Sequence, residues 1–234
     1  MPNVSFHAWL EAYGVKVTET QIAQFSRYLE LLLEWSERMN LTAIREPRSI
    51  MIKHFFDSLT PALSPHFVPT GSLLDVGTGA GFPGLPLKIL FPELRVVLLD
   101  ATKKRIMFLE AVRSSLHIEG LELIHGRAEL LAHDKRYREQ FDQVTARAVA
   151  SLPVLLEYTL PFVRPGGHLF LLKGPSVQQE LEDSHSIVSL LGGAALTEQS
   201  VFLPEGQGER RILWYKKVLQ TPKQYPRKVI HKKH

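Results

Sequence analysis

The first 70 residues carry apolar positions at the spacing of helices. Thr18 and Gln21 have the separation of a capping box, and apolar residues then recur every three or four positions through Met39. A second helix is predicted to begin at Pro47, since proline is favoured in the first turn of a helix. The face that this helix buries is predicted to carry Ile50, Met51, Phe55 and Leu59. The spacing therefore predicts a helical extension over residues 1–70.

From Ser72 onward, short apolar runs alternate with helical patterns. The runs that predict strands are SLLDV, RVVLLD, LELIHG, FDQVTARA and HLFLLKG, then residues 195–203 and 211–217. Helices are predicted after the glycine-rich loop, at 103–116, after Ser151 and after Ser176, and RPGG is predicted to form a turn. This alternation implies parallel βαβ units in a doubly wound sheet. The turn PEGQGE predicts a final antiparallel hairpin, which a standard dinucleotide-binding fold does not have.

The composition excludes several kinds of chemistry. The 234 residues include ten histidines and no cysteine, so the chain has no disulfide, no thiolate zinc site and no cysteine nucleophile. No apolar run approaches the ~18 residues that a membrane span requires. The N-terminal MPNVSFHAWLEAYG lacks the basic and apolar regions of a secretory signal, so the expectation is a cytoplasmic protein.

The net charge of +4 is unevenly distributed along the chain. Residues 210–234 hold nine Lys and Arg and no acidic residue, whereas the preceding 209 residues are net acidic. A basic segment of this kind favours contact with a polyanion. A solubilising terminus without a partner is the alternative.

The stretch LLDVGTGAGFPGLPLKIL, residues 73–90, has the glycine pattern of a nucleotide-binding loop after a strand. It is not a P-loop, because no Lys-Ser or Lys-Thr pair follows the glycines. It also departs from the dinucleotide fingerprint, since Phe82 stands at the third glycine position when Gly77 and Gly79 form the first pair. The observed spacing is instead G-x-G-x-G, preceded by Asp75.

Asp100 ends the second predicted strand, 23 residues after Gly77. A carboxylate there can accept hydrogen bonds from both ribose hydroxyls, in NAD as well as in S-adenosylmethionine. Asp75 at the loop entrance would repel a pyrophosphate and attract the ammonium group of a methionine moiety. A GRAE turn at 126–129 follows the third strand, where a backbone N–H and a neighbouring side chain can hold a base. S-adenosylmethionine is therefore favoured; NAD(P) and a purely structural glycine turn are the alternatives.

Several segments together resemble one family. They are NLTAIREP, KHFFDSL, the glycine loop, LLDATKKRIMFLEAV, GRAE, ARAVASL, LKG and TPKQYPRK. Spread over roughly Asn40 to Lys228, these segments resemble the bacterial small-subunit ribosomal RNA guanine-N7 methyltransferases, also called glucose-inhibited division protein B. The glycine motif alone is shared by many class I methyltransferases, whereas the NLT…HFFDSL element and the tail are far more specific.

The resemblance implies the α/β, Rossmann-like fold of the class I S-adenosylmethionine-dependent methyltransferases. Its seven-stranded, mostly parallel sheet has an antiparallel last strand, and the helical extension over 1–70 precedes it. The methyltransferase domain is expected at 71–218 and a basic tail at 219–234. The family uses S-adenosylmethionine to methylate N7 of guanine 527 in the decoding-region loop of 16S rRNA. The implied partners are 16S rRNA or a small-subunit ribosomal particle, with no membrane and a monomeric protein.

The resemblance also implies the site residues. The cofactor-binding set is Asp75, Gly77, Gly79, Phe82, Asp100, Ala101, Thr102, Ala128, Glu129 and Arg147. Arg147, at the end of the fourth strand, is the best candidate for a catalytic residue in a mechanism based on positioning. Phe82 is expected to cover the cofactor, with a core side chain as the alternative. The residues expected to contact RNA, with a solvated charge as the alternative, are Lys104, Arg105, Arg127, Lys173, Lys223, Arg227 and Lys228.

His54 and Asp57 lie three residues apart on one predicted helical face. No third ligand stands at a supporting spacing, so no metal site is expected. The two side chains are expected to form a hydrogen-bonded pair that closes the N-terminal helices over the site. A structural histidine is the alternative.

The chemistry of the implied reaction agrees with the residues present. Guanine N7 carries a lone pair in the ring plane, so it can attack a sulfonium methyl without losing a proton, and positioning is the main requirement. The chain lacks the cysteine used for pyrimidine C5 and has ARAVASLP where exocyclic amine methylation commonly uses an Asn/Asp-Pro-Pro-aromatic turn. The competing hypotheses are a methyltransferase for another substrate, an NAD(P) oxidoreductase and a non-enzymatic RNA-binding protein.

Overall fold

The computed structural model describes residues 2–147 and 150–227, so the predicted site residue Lys228 lies outside the described residues. Within these ranges, seven strands form one sheet in the spatial order 3-2-1-4-5-7-6. The strands are β1 Gly71–Val76, β2 Leu94–Asp100, β3 Leu121–His125, β4 Phe141–Arg147, β5 Val163–Lys173, β6 Gly193–Phe202 and β7 Glu209–Lys217.

The sheet is parallel except at one end. β1 pairs in parallel with β2 and β4, β2 with β3, and β4 with β5. β7 runs antiparallel to both of its neighbours, β5 and β6. The predicted mostly parallel sheet with a final antiparallel hairpin is therefore confirmed. The predicted RPGG turn does not precede the strand but lies inside β5: Val163 already pairs with Phe141, and the register then shifts because residues 164–167 stand opposite the single residue Asp142.

The helices follow the predicted pattern, with one irregular stretch and one short helix, over 128–131, that was not predicted and begins inside the predicted GRAE turn. The α-helices of the described ranges are α1 Pro2–Ala12, α2 Glu19–Arg38, α3 Pro47–Ile50, α4 Asp57–Leu59, α5 Gly84–Leu90, α6 Lys103–Ser115, α7 Ala128–Leu131, α8 Leu152–Thr159 and α9 Gln178–Leu190. Short 3₁₀ turns lie at Thr60–Leu63, Leu160–Phe162 and Pro204–Gly206. A π turn over Met51–Phe56 joins α3 to α4. The predicted capping box of α2 is confirmed, since Thr18 and Gln21 each accept from the other's backbone N–H.

Apolar side chains pack on both faces of the sheet. Because successive residues of a strand point to opposite faces, Leu73 joins one cluster and Leu74 joins the other. The first cluster also contains the N-terminal helices: the ring of Tyr28 stacks on Phe55 at 4.9 Å and on Phe82 at 5.6 Å, centre to centre. The N-terminal extension and the sheet domain therefore share one core.

The extension also holds the loop between β1 and α5 through polar contacts. The hydroxyl of Tyr28 donates to the carbonyl of Ala80 inside that loop. Gln21 Nε2 donates to the carbonyls of Ile89 and Leu90 at the end of α5, at 2.9 and 2.8 Å. Burial raises the pKa of the Tyr28 phenol well above its ordinary value, so the hydroxyl keeps its proton and remains a donor.

Residues 219–227 pack against the sheet domain. Arg138 donates to the carbonyls of Thr221 and Tyr225 at 2.8 and 2.9 Å. The side chain of Thr221 is buried, and its backbone N–H donates to Glu139 Oε1 at 2.7 Å. The first half of the predicted basic tail is thus anchored by ordinary hydrogen bonds to the body of the protein.

Lys217, the last residue of β7, is fully buried. Its Nζ donates to the Leu160 carbonyl at 2.8 Å and to the Thr221 hydroxyl, and Glu139 Oε1 lies 3.5 Å away. Burial lowers the pKa of Lys217 to about 8, because the charged form loses its hydration. Between about pH 8 and the ordinary lysine pKa of about 10.4, the unfolded chain therefore binds more protons than the folded chain.

We expect this lysine to make the free energy of unfolding rise with pH across that window, by up to about 3 kcal/mol. Lys217→Met removes the titrating group, so the difference in unfolding free energy between wild type and variant should change across the same window. Urea unfolding at a series of pH values measures this difference. The matched control is Lys216→Met, at the exposed neighbouring position. A difference that does not vary with pH would contradict a buried lysine with a lowered pKa.

Candidate cofactor and acceptor sites

The glycine loop follows β1, and part of its backbone borders open space. The N–H of Gly77 donates to the carbonyl of Leu99 at 2.8 Å, which ties the loop to β2. Gly79 has a φ of +63°, and a Cβ added there would meet no atom within 4 Å, so this position borders open space. A Cβ at Gly81 would lie 2.6 Å from the Tyr28 hydroxyl, so a larger residue would displace the loop.

Asp75 is fully buried at the end of β1. Its Oδ2 accepts hydrogen bonds from Thr78 Oγ1 at 2.7 Å and from the N–H of Gly84 at 2.8 Å. Its Oδ1 has no hydrogen-bond partner among the described residues, and burial raises the pKa of the carboxyl to about 6. Asp75 therefore stabilises the conformation of the loop and retains one oxygen that is free to accept a hydrogen bond.

A pocket of about 170 Å³ lies at the carboxyl ends of β1, β2 and β3, and we call it the cofactor pocket. The predicted cofactor-binding residues that line it are Gly77, Asp100, Ala101, Ala128 and Glu129. The other predicted members do not line it, and their contact with a cofactor stays a prediction: Asp75, Gly79, Phe82, Thr102 and Arg147. Tyr158 of α8 also lines the pocket, and sequence reasoning missed it. β1 lies between β2 and β4, where the winding of the sheet reverses, and nucleotides bind at such points in doubly wound sheets.

Asp100 ends β2 in the cofactor pocket and is 3% exposed. Its Oδ1 accepts from the N–H of Thr102 at 2.8 Å, and its Oδ2 accepts from the N–H of Gly79 at 2.8 Å. Arg105 Nη1 also approaches Oδ2 at 3.3 Å. Asp100 therefore joins the glycine loop to the beginning of α6.

The residues of this pocket fit S-adenosylmethionine. The carboxylate at the end of β2 suits ribose hydroxyls, and the open position at Gly79 leaves room for a ligand beside the backbone. Leu99 and Ala128 supply an apolar lining for a purine ring. Asp75 is buried and does not line the pocket, and its unpartnered oxygen is a negative group of the kind that an ammonium group needs.

A larger pocket of about 560 Å³ lies beside the ends of β4 and β5, and we call it the acceptor pocket. Arg147 of β4, Asp57 of α4 and Arg210 of β7 line it. Asp57 is fully buried, and it accepts from Arg147 Nη1 at 3.0 Å and from Arg210 Nε at 2.6 Å. Three distant segments thus meet in an Arg–Asp–Arg triad, composed of Arg147, Asp57 and Arg210.

His54 does not pair with Asp57, so the predicted hydrogen-bonded pair is wrong. The backbone between them belongs partly to the π turn, whose wider winding changes which residues share a face. His54 Nε2 instead lies 2.6 Å from Thr42 Oγ1, and its ring stacks on Phe82 at 4.8 Å. Burial, reinforced by the Arg147 cation, lowers the pKa of His54 to about 4, so the ring is neutral at pH 7.

Phe82 is 5% exposed and belongs to the aromatic cluster beside the glycine loop. Its ring centre lies 5.6 Å from that of Tyr28 and 5.9 Å from that of Phe55. The guanidinium of Arg147 lies 4.9 Å from the same ring, at the distance of a cation–π contact. This position fits the alternative of a core side chain that supports Arg147, and the covering of a cofactor by Phe82 stays a prediction.

Several of the residues predicted to contact RNA already have partners within the chain. The ion pairs are Lys173–Glu180 at 2.7 Å, Arg127–Glu129 at 2.6 Å and Arg227–Glu157. Lys104 and Lys223 are exposed and form no ion pair with the residues that the structure describes. RNA contact by all of these residues stays a prediction, and unneutralised charge is greatest at Lys104 and Lys223.

Sequence reasoning missed Lys53, Glu180 and Arg210, which also line the acceptor pocket. No local motif marks Arg210, which was counted only as part of the basic C-terminal segment. Its position depends on the antiparallel pairing of β7 with β5, in which Arg211 lies opposite Lys173. The only indication in the sequence was the predicted final hairpin.

Two further observations concern the described part of the chain, residues 2–147 and 150–227. No group of three or more His, Asp and Glu side chains there is placed to hold a metal ion. No helix there is both long and apolar enough to cross a membrane.

Solved structures share this architecture at low sequence identity. A 16S rRNA (adenine(1408)-N(1))-methyltransferase from Catenulisporales acidiphilia matches with a TM-score of 0.52 and 20% identity, over 65% of this chain and 87% of that chain. Precorrin-6y C5,15-methyltransferase from Geobacter metallireducens matches with a TM-score of 0.52 and 13% identity, over 76% and 92% of the two chains. The protein therefore has the fold of the class I S-adenosylmethionine-dependent methyltransferases.

The sequence comparisons narrow this class to one family. The family model GidB, rRNA small subunit methyltransferase G, matches residues 21–210. A protein named ribosomal RNA small subunit methyltransferase G from Geobacillus kaustophilus is 47% identical over 228 residues, covering 97% of this chain and 96% of that protein. One of the same name from Alkaliphilus metalliredigens is 45% identical, covering 92% and 90%. The chain belongs to the rRNA small subunit methyltransferase G family, and the predicted resemblance is confirmed.

Proposed function

We propose that this protein transfers a methyl group from S-adenosylmethionine to N7 of guanine 527 in 16S rRNA. The observation that carries the choice of atom is that both carboxylates lining the acceptor pocket are paired with cations. Asp57 lies between two guanidinium groups, and Glu180 accepts from Lys173. His54 is neutral and bonded to Thr42. Such a pocket suits an acceptor that can attack the methyl group without first losing a proton, and guanine N7 is an acceptor of this kind.

Positioning is then the main contribution of the chain. Bound S-adenosylmethionine supplies an electrophilic methyl group on a sulfonium centre. The residues of the two pockets hold the acceptor and the cofactor side by side at one edge of the sheet, which converts an encounter in solution into an oriented contact. Holding both partners in a fixed orientation can account for several kcal/mol of the activation barrier, on the order of 7–11 at the upper limit.

The two arginines of the triad suit a guanine nucleotide. Guanidinium groups commonly bond guanine through O6 and N7 together, but N7 has to stay open for methylation. Arg147 and Arg210 would therefore donate to O6 or to a phosphate of the target nucleotide. The buried carboxylate of Asp57 fixes the orientation of both groups and balances part of their charge.

The relatives' names support an rRNA of the small subunit as substrate. The substrate is 16S rRNA itself or a small-subunit particle that exposes the decoding-region loop. Since both belong to the translation machinery, we place the protein in the cytoplasm. We also propose that it acts as a monomer. S-adenosylmethionine is the cofactor, with Asp100 at its ribose and Asp75 as the anion for its ammonium group.

Methyl transfer to 16S rRNA from cells lacking this enzyme tests the proposal. We expect labelled methyl to enter that RNA, naked or within 30S particles, and 7-methylguanosine to map to guanine 527. The same RNA from cells that contain the enzyme is the control, since its N7 is already methylated and should take up no label. Absence of transfer, or a methyl group on another atom or nucleotide, would refute the proposal.

A further inference from the structure

A second positively charged cavity lies outside the two pockets described above. It has a volume of about 350 Å³ between the end of α2 and the beginning of α6, and we call it the basic cleft. Arg38, Lys104 and Arg105 line it, and no carboxylate does. Arg38 and Lys104 form no ion pair with any residue in the described ranges. The cofactor pocket accounts for Arg105 through its contact with Asp100, but neither pocket accounts for Arg38 and Lys104.

Arg105 connects this cleft to the cofactor pocket. Its guanidinium lines the cleft and at the same time lies 3.3 Å from Oδ2 of Asp100, which lines the cofactor pocket. The Arg105 side chain is 42% exposed, whereas that of Asp100 is 3% exposed. Asp100 is therefore fixed in the protein, and Arg105 is the partner that can move.

The acceptor capacity of Asp100 limits what it can bind at once. A carboxylate offers about four lone-pair positions. Three of these positions are used. Oδ1 accepts from the N–H of Thr102, and Oδ2 accepts from the N–H of Gly79 and from Arg105. A ribose brings two hydroxyl donors, so one existing donor has to leave. The two backbone donors are held by the loop and by α6 at 2.8 Å, whereas the Arg105 contact is the longest of the three.

We propose that the basic cleft binds a backbone phosphate of the RNA substrate, and that cofactor binding prepares it by releasing Arg105 from Asp100. The inference rests on the proposed function, since it takes RNA and S-adenosylmethionine as the two ligands. Without the cofactor, Asp100 neutralises Arg105. With the ribose on Asp100, the guanidinium joins Arg38 and Lys104 as a third cation that can bond a phosphate through two N–H groups.

This arrangement links the two ligands thermodynamically. Each ligand alone has to break the Arg105–Asp100 ion pair, but when both bind the pair is broken only once. The coupling between RNA and cofactor therefore equals the contribution of that ion pair. For a partly exposed pair this corresponds to about a two- to fivefold gain in affinity, and the factor is the same in both directions.

Binding measurements with S-adenosylhomocysteine, the demethylated cofactor, test the proposal without turnover. We expect saturating S-adenosylhomocysteine to tighten wild-type binding of unmethylated 16S rRNA about two- to fivefold, and the RNA to tighten S-adenosylhomocysteine binding equally. Arg105→Gln should lose this coupling and lower the salt dependence of RNA binding by about one phosphate contact. It should bind S-adenosylhomocysteine alone at least as tightly as wild type does, because the competitor of the ribose is gone.

Arg113→Gln is the matched control, since Arg113 lies on the same helix and pairs with Glu110 at the surface. It should keep the full coupling. Equal RNA affinity with and without S-adenosylhomocysteine, or coupling retained in Arg105→Gln, would overturn the proposal. Weaker S-adenosylhomocysteine binding by Arg105→Gln would also overturn the proposal, because it would show that Arg105 is a ligand of the cofactor. Methyl transfer to the same RNA is recorded first: its absence defeats the proposed function, whereas transfer without coupling defeats only this inference.

Discussion

Asp57→Asn is expected to lower kcat/KM for methyl transfer about a hundredfold to a thousandfold. The carboxylate is fully buried between Arg147 and Arg210, whose side chains are only 13% and 21% exposed. Removing one partner of a buried ion pair costs about 3–5 kcal/mol, because the remaining charge loses its counterion without regaining water. Here two guanidinium groups lose the same counterion, so both should leave the orientation that the acceptor needs.

Steady-state kinetics with S-adenosylmethionine and 16S rRNA measure the effect. The affinity for S-adenosylmethionine serves as a second readout, and it should stay close to that of wild type because Asp100 and the cofactor pocket are unchanged. Asp134→Asn is the matched control, since Asp134 pairs with Arg136 at the surface, and its kcat/KM should not change. Wild-type kinetics for Asp57→Asn would show that the triad is not needed to orient the acceptor.

Asp100→Ala is expected to raise the Kd for S-adenosylmethionine by about a hundredfold or more. Each hydrogen bond from a ribose hydroxyl to a charged acceptor contributes about 1.5–3 kcal/mol, and the variant removes two of them. It also frees the N–H groups of Gly79 and Thr102, which loosens the loop beside the cofactor. The sheet itself does not depend on this side chain, so the variant should remain folded.

Isothermal titration calorimetry with S-adenosylmethionine measures the loss, and circular dichroism with urea unfolding checks the fold. Asp134→Ala is the control for removing a carboxylate at the surface, away from the cofactor pocket. Affinity for S-adenosylmethionine equal to that of wild type would count against a ribose at Asp100. It would also remove the basis for the exchange between Arg105 and the ribose.

The fold and the cofactor pocket could be predicted from local patterns. Parallel strands place their carboxyl ends on one edge, so Gly77 after β1 and Asp100 at the end of β2 had to lie near each other once the alternation of strands and helices was recognised. Phe82 at the third glycine position was enough to turn the interpretation away from a dinucleotide. These features depend on residues within short segments, and short segments carry their own periodicity and turn chemistry.

The acceptor pocket could be predicted only in part. Arg147 was identified because it ends a strand, but Arg210 comes from a distant antiparallel strand and its register is not visible in any local motif. The spacing of His54 and Asp57 suggested a pair, but the π turn directs them to different partners. Contacts between segments far apart in the chain depend on how the elements pack.

The sequence by itself determined the fold class, the glycine loop, the acidic end of β2 and the family. It also located the basic charge in the C-terminal segment, yet it could not say which charges remain available to a ligand. Tertiary structure decided that: Lys217 is buried, Arg227 pairs with Glu157, and Arg210 serves the acceptor pocket. The physical reason is that net charge follows from composition, whereas neutralisation requires two side chains within a few ångströms, which only the packed chain establishes.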